Sequence, residues 1–114
     1  MADMEPPRCF SEIMEERRRN SAKPGTVYFI GSSDGFIKIG ITSDIVERLR
    51  NFQVCTPHEL TVLASFDGDS YQEWEYHQRF ADHRVRGEWF RSHPDILAEI
   101  ERLLTILATQ GPTP

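Results

Sequence analysis

Residues 27–42 read VYFIGSSDGFIKIGIT, and the register of the hairpin they form decides the fold. Two runs rich in β-branched and aromatic residues flank a polar turn containing Asp34 and Gly35, the pattern of two antiparallel strands. A two-residue loop sets Ile30 opposite Ile37 and Tyr28 opposite Ile39, leaving Val27 and Phe29 on the face of Lys38. A three-residue loop, Ser33-Asp34-Gly35, puts Gly35 in the left-handed position and sets Ile30 opposite Lys38 and Tyr28 opposite Gly40. Side chains alternate along a strand, so a slip of one residue moves the whole set to the other face. The second register gathers Val27, Phe29, Ile37, Ile39 and Ile41 on one wholly apolar face, and it is the one expected. Tyr28 and Lys38 then share the opposite face, where Gly40 leaves space beside the tyrosine ring.

The helix that follows, TSDIVERLRNF, opens on Asp44 with Glu47 three residues later, a capping-box pattern. Ile45, Leu49 and Phe52 form its apolar stripe, and Arg48 falls about 60° off that stripe at 3.6 residues per turn. LTVLASF reads as a third strand closed by DGDS. A second helix is expected from near Ser70 through YQEWEYHQRFA, carrying Glu73, His77 and Phe80 along one side. RVRGEWF holds a turn at Gly87 and a short extended piece. Pro94 suits the first turn of a last helix, whose stripe is Ile96, Leu97, Ile100, Leu103, Leu104 and Leu107. The expected fold is a small α/β domain in the order β-β-α-β-α-α, with helices flanking a three-stranded antiparallel sheet. Pro6, Pro7, Pro24 and Gly25 mark boundaries. They divide the chain into an N-terminal arm with a short helix (1–24), the folded domain (25–108) and a flexible tail (109–114).

The chain has 114 residues, 39% hydrophobic and 27% charged, which suits one globular domain with a modest core. No apolar run approaches a membrane span and no charged-apolar-small leader opens the sequence. The two cysteines, Cys9 and Cys55, make no disulfide framework, so a cytoplasmic protein with no membrane partner is expected. The net charge of −5 and a pI near 5.3 argue against broad nonspecific nucleic-acid binding. The basic residues are nevertheless clustered. Arg79, Arg84, Arg86 and Arg91 lie close together in sequence and can present a local strip to phosphates. Arg17, Arg18 and Arg19 form a second cluster that reads equally as a solvated face.

Several residues carry competing readings. Ser70-x-x-Glu73 is itself a capping-box pattern, so Glu73 can be a helix cap as readily as a metal ligand. His77 shares its face one turn on, where an i, i+4 pair serves a metal or merely hydrogen-bonds. Tyr28 can pack as a strand tyrosine, Lys38 can blunt an edge, and Arg48 can pair with Asp44 on its own helix. Cys55-x-x-His58 has ligand-like spacing but lacks the second half of a zinc site, and Cys55 reads as a small buried thiol before a turn. Glu88, Trp89 and Phe90 read as a packing device after Gly87, with base stacking the lesser role for Trp89.

Taken in order, VYFI, FIKIGIT, ERL, EWEYHQRF and RGEWF resemble the GIY-YIG nuclease superfamily, most closely its phage-type branch, in which KIG stands for YIG. The resemblance spans residues 26 to about 93. Tyr28 matches the tyrosine of the first motif, here TVY rather than GIY. Lys38 takes the place of the second tyrosine, Gly40 that motif's glycine, Arg48 the arginine of the first helix, Glu73 the metal-binding glutamate, and His77 a histidine typical of the branch. The late asparagine common in the superfamily has no counterpart. The resemblance implies a bacterial or phage-encoded endonuclease that hydrolyses DNA phosphodiester bonds with one Mg²⁺ or Mn²⁺ on Glu73. Tyr28 would position or deprotonate the attacking water, directly or through His77, while Arg48 and Lys38 hold the phosphate. Arg79, Arg84 and Arg86 are the expected DNA contacts. Two other readings stand beside it. One is a catalytically inactive module that binds DNA or a protein partner; the other is a structural or oligomerising protein whose last helix and N-terminal arm form a subunit contact.

Overall fold

The structure, a computed structural model, describes residues 19–109. The expected N-terminal arm lies largely outside the described residues, as does nearly all of the tail. Strands β1 (Pro24–Ser32) and β2 (Phe36–Thr42) form the expected hairpin. Tyr28 pairs with Gly40, Phe29 with Ile39 and Ile30 with Lys38, which is the three-residue-loop register. Gly35 sits at φ 94°, a left-handed conformation that costs residues with a Cβ about 1–2 kcal/mol. Helix α1 (Ile45–Val54) follows, then β3 (Leu60–Asp69), α2 (Ser70–Arg79), a 3₁₀ turn at Ala81–His83, β4 (Arg84–Arg86), β5 (Trp89–Arg91) and α3 (Pro94–Thr109).

The α/β class and the three helices are as expected, and the sheet is wider. It has five antiparallel strands in the order β3-β1-β2-β5-β4. The segment RVRGEWF supplies both added strands, because β5 pairs with β2 at Phe36–Arg91, Ile37–Phe90 and Lys38–Trp89. A three-residue strand has too little length for its own alternation to be legible.

The sheet separates two cores. On one face Phe29, Ile37, Ile39, Ala64 and Phe90 pack with Phe80, the C-cap of α2, and with Ile96, Ile100 and Leu103 of α3. On the other, Tyr28, Ile30 and Leu60 are covered by Ile45, Leu49 and Phe52 of α1 and by Trp89. The expected stripe of α3 is therefore only half used: Leu97, Leu104 and Leu107 remain exposed, because a single sheet face covers one side of the helix. Cys55 is exposed rather than buried, since it is the C-cap of α1, where the chain leaves the packed face. His58 lies near Asp34, 3.6 Å away, and among the described residues neither Cys55 nor His58 belongs to a cluster of three or more groups able to hold a metal.

The side chain of Glu99 on α3 is buried between charges. It receives two hydrogen bonds from Arg102 at 2.7 and 2.6 Å and one from the Tyr76 hydroxyl at 2.6 Å, and Arg79 lies 3.3 Å away. The Arg102 hydrogen bonds, then Tyr76 and the charge of Arg79, outweigh burial and hold the Glu99 carboxyl down at about 2. A carboxyl depressed in the folded state stabilises the fold fully above its unfolded pKa and loses that stabilisation as pH falls toward the folded value. Melting temperature is therefore expected to fall between about pH 4.5 and pH 2, and Glu99→Gln should flatten that part of the profile while lowering stability at neutral pH.

Candidate active site

Beyond the Lys38–Trp89 pair the two central strands part company. The Ile39 amide donates to the Glu88 carbonyl at 3.0 Å, and the chain then turns away through Gly87. At this divergence the sheet leaves Gly40 facing the Tyr28 hydroxyl and the Glu88 carboxylate. A Cβ at Gly40 would fall on the Tyr28 Oη, 2.6 Å from its Cζ and 3.0 Å from Glu88 Oε2. The space expected beside the tyrosine ring is thus taken up by the tyrosine itself, and Gly40 is what lets it lie there.

Tyr28 is fully buried under α1. Its hydroxyl donates to Glu88 Oε2 at 3.5 Å. Burial first, then the charge of Glu88, raises the phenol above its ordinary range, against the lowering effect of Arg48; Glu73 raises it further. Tyr28 is consequently a neutral donor at physiological pH. Lys38, also largely buried, holds its ammonium 3.9 Å from Glu88 Oε2, 3.8 Å from the Phe52 ring centroid and 5.2 Å from that of Trp89. Burial and Arg48 lower its pKa and Glu88 opposes them. The two rings thus hold a desolvated cation by its attraction to their faces.

Arg48 projects from the edge of α1, its guanidinium 5.7 Å from the Phe52 centroid. The competing reading, an ion pair with Asp44, is not found among the described residues. Asp44 instead caps the helix, accepting from the Glu47 amide at 3.1 Å. The charge of Arg48 is felt at both Tyr28 and Lys38, and among the described residues it has no carboxylate partner within 4.0 Å.

Glu73 and His77 enter from α2. The competing reading of Glu73 as a cap is removed by the local structure. Asp69 is the N-cap of α2, and its reciprocal partner is Gln72, with bonds of 2.9 and 3.0 Å. Ser70, one residue inside the helix, accepts from the Lys23 amide instead. Glu73 is left to face His77, whose Nε2 is 3.5 Å from Glu73 Oε1. The same Nε2 lies 2.8 Å from the Ile39 carbonyl. A carbonyl only accepts, so this nitrogen carries the proton. The imidazole also meets Phe90 edge-on at 5.1 Å. Burial raises the pKa of Glu73 most, His77 offsets it, and the charge of Glu88 adds to it.

The structure thus brings Tyr28, Lys38, Arg48, Glu73 and His77 to one place. It also adds Glu88, which the motif reading had treated as packing. Its signal is the pairing of β5 with β2: once Trp89 is placed opposite Lys38, Glu88 falls opposite Ile39 and its carboxylate reaches Gly40. Trp89 is partly buried against α1's core and beneath Lys38. Of the three expected DNA contacts, Arg84 lines a cleft of about 390 Å³ together with Glu73, His77 and Trp74, and its Nε donates to the Gly87 carbonyl at 2.8 Å. Arg86 is exposed on β4. Arg79 points elsewhere, to Glu99.

The fold is that of a small α/β domain, compatible with a nuclease-like fold. The profile of the T5orf172 domain family matches residues 25–105, and the chain belongs to that family. The family is nuclease-related and of phage type. No curated protein and no solved structure matches the chain. Among the described residues no helix is long and apolar enough to cross a membrane.

Proposed function

We propose that the chain is a divalent-metal-dependent endonuclease that hydrolyses DNA phosphodiester bonds. The observation that carries this reading is the position of Glu73: a carboxylate excused from helix capping, gathered with two cations, Arg48 and Lys38, at the divergence of β2 and β5. A carboxylate alone suits a cation; a carboxylate beside unpaired or weakly paired cations suits a phosphate bridged to a cation.

The donor set fits Mg²⁺ or Mn²⁺ on Glu73. These ions take oxygen ligands, and the burial and neighbouring negative charge that raise the pKa of Glu73 are costs that a bound cation relieves. When bound, such an ion polarises the phosphate and offsets charge on the leaving oxygen. The chain's own groups do the rest. His77, its Nε2–H held by the Ile39 carbonyl, lies 3.5 Å from Glu73 and packs that side of the cleft beside the carboxylate. Arg48 and Lys38 hold non-bridging phosphate oxygens as negative charge accumulates on them. Tyr28, neutral and buried, acts as a positioning donor. Arg84, on the wall of the same cleft, and Arg86 extend the contact along the DNA backbone. Arg79 shares its charge with Glu99, so its contribution to DNA affinity is the smallest of the three.

The test is metal dependence of DNA cleavage by the purified chain. Cleavage should vanish in EDTA and return on addition of Mg²⁺ or Mn²⁺. A folded protein that binds DNA yet never cuts it at any metal concentration would make the chain a binding module instead.

A further inference from the structure

The site holds one acceptor, Glu88, to which the resemblance gives no catalytic role, and exposure separates it from the tyrosine. We infer that Glu88 is the general base of the hydrolysis, meeting the attacking water directly, while Tyr28 and Lys38 orient its carboxylate; this inference rests on the nuclease reading above.

Three observations support it. First, Tyr28 has no exposed surface, so its hydroxyl is sealed from bulk water by Gly40, Glu88 and α1. The side chain of Glu88 is 38% exposed, against 15% for Lys38, 21% for Glu73 and 15% for His77. Secondly, the hydrogen-bond directions are set. Tyr28 Oη and Lys38 Nζ are both donors, and both converge on the same oxygen, Glu88 Oε2. Two donors on one oxygen fix the plane of the carboxylate, and the distances of 3.5 and 3.9 Å are those of a site that tightens when its substrate arrives. Thirdly, the His77 nitrogen nearest Glu73 is the protonated Nε2, which is held by the Ile39 carbonyl and has no lone pair to offer on that side, and Glu73 is the carboxylate assigned to the metal. The groups that face Glu88 are Tyr28 on β1, Gly40 and Lys38 on β2, and the charge of Glu73 on α2.

The step balances as follows. A water O–H bond breaks and its proton passes to a Glu88 carboxylate oxygen. The water oxygen forms a bond to phosphorus, and the P–O3′ bond breaks with its electron pair remaining on the 3′-oxygen. That oxygen takes a proton from solvent, and Glu88 returns its own.

The experiment compares wild type, Glu88→Gln, Glu88→Asp, Tyr28→Phe and Glu73→Ala. It measures single-turnover cleavage across pH, together with DNA affinity by fluorescence anisotropy in EDTA. Glutamine preserves shape and can still accept from Tyr28, so the fold is retained, as thermal melting will show. Glu88→Gln should lose about 10²- to 10⁴-fold in rate, with DNA affinity equal to or above wild type because a negative charge is removed beside Lys38. Glu88→Asp should recover part of the rate. Tyr28→Phe should lose less than Glu88→Gln, the reverse of what a tyrosine base would give. The inference is overturned if Glu88→Gln cuts at the wild-type rate, or if its loss is entirely one of DNA affinity. Cleavage that survives in Glu88→Gln and disappears in Glu73→Ala would overturn the role of Glu88 and leave the nuclease reading standing. A wild type that never cuts would overturn both.

Discussion

Replacing Arg48 with alanine is expected to slow cleavage by about 10²- to 10³-fold, the loss that follows removal of one preorganised electrostatic donor, with little change in melting temperature. Arg48 lies at the edge of α1 and is only partly buried, and it contributes no ion pair among the described residues. Substitutions at such positions usually fall within about 0.5 kcal/mol of wild type in stability. The guanidinium nevertheless bears on the titration of Tyr28 and Lys38, which puts its charge at the centre of the cluster. A residue that costs the fold nothing and the reaction two or three decades is a substrate-holding residue. Arg48→Lys should recover only part of the rate, because an ammonium cannot match the planar, two-pronged contact of a guanidinium with phosphate. Single-turnover rates beside thermal melts decide this. Equal rates for Arg48→Ala and wild type would remove Arg48 from the site.

The second large effect is structural. Gly40→Ala places a methyl group on the Tyr28 hydroxyl and 3.0 Å from Glu88 Oε2. The tyrosine is fully buried, packed by Ile45, Leu49 and Phe52 from above and wedged against β2 from below, so it has nowhere to retreat. Overpacking of this kind costs about 1–3 kcal/mol, which for a domain of this size lowers the melting temperature by about 4–8 °C per kcal/mol. Activity should fall further than stability, since the intruding methyl group parts Tyr28 from Glu88. Gly35→Ala makes the control. It too loses stability, through its φ of 94°, but a Cβ there meets nothing within 4 Å and the loop is remote from Glu73. Melts on both variants beside cleavage rates separate the two cases: loss of stability in both, loss of catalysis beyond that in Gly40→Ala alone.

The hairpin register was legible because it is local. The apolar set Val27, Phe29, Ile37 and Ile39 points one way only if the loop has three residues, and Gly35 permits that loop. Helix α1 was equally legible from Asp44 and its apolar stripe. The cap of α2 was read one residue late, at Ser70 rather than Asp69, because serine and aspartate are both good caps and adjacent. The consequence is large: the shift pairs Gln72 rather than Glu73 with the cap and releases the glutamate for chemistry. The β4–β5 hairpin, and with it Glu88, was hidden for a different reason. Its strands have three residues each, and β5 is defined by pairing with β2, far away in sequence, with β4 added at its outer edge. The burial of Tyr28 was hidden in the same way, since what covers it is the packing of α1 over the sheet. Arg79 read as part of a basic strip, yet its partner Glu99 comes from a helix twenty residues later. Sequence proximity of like charges says little about which surface they share.

The most direct measurement is plasmid nicking by the purified wild type and by Glu73→Ala, side by side, with Mg²⁺ or Mn²⁺ and with EDTA. The account predicts metal-dependent nicking by the wild type and none above background by a folded Glu73→Ala. Nicking by Glu73→Ala at the wild-type rate would contradict it.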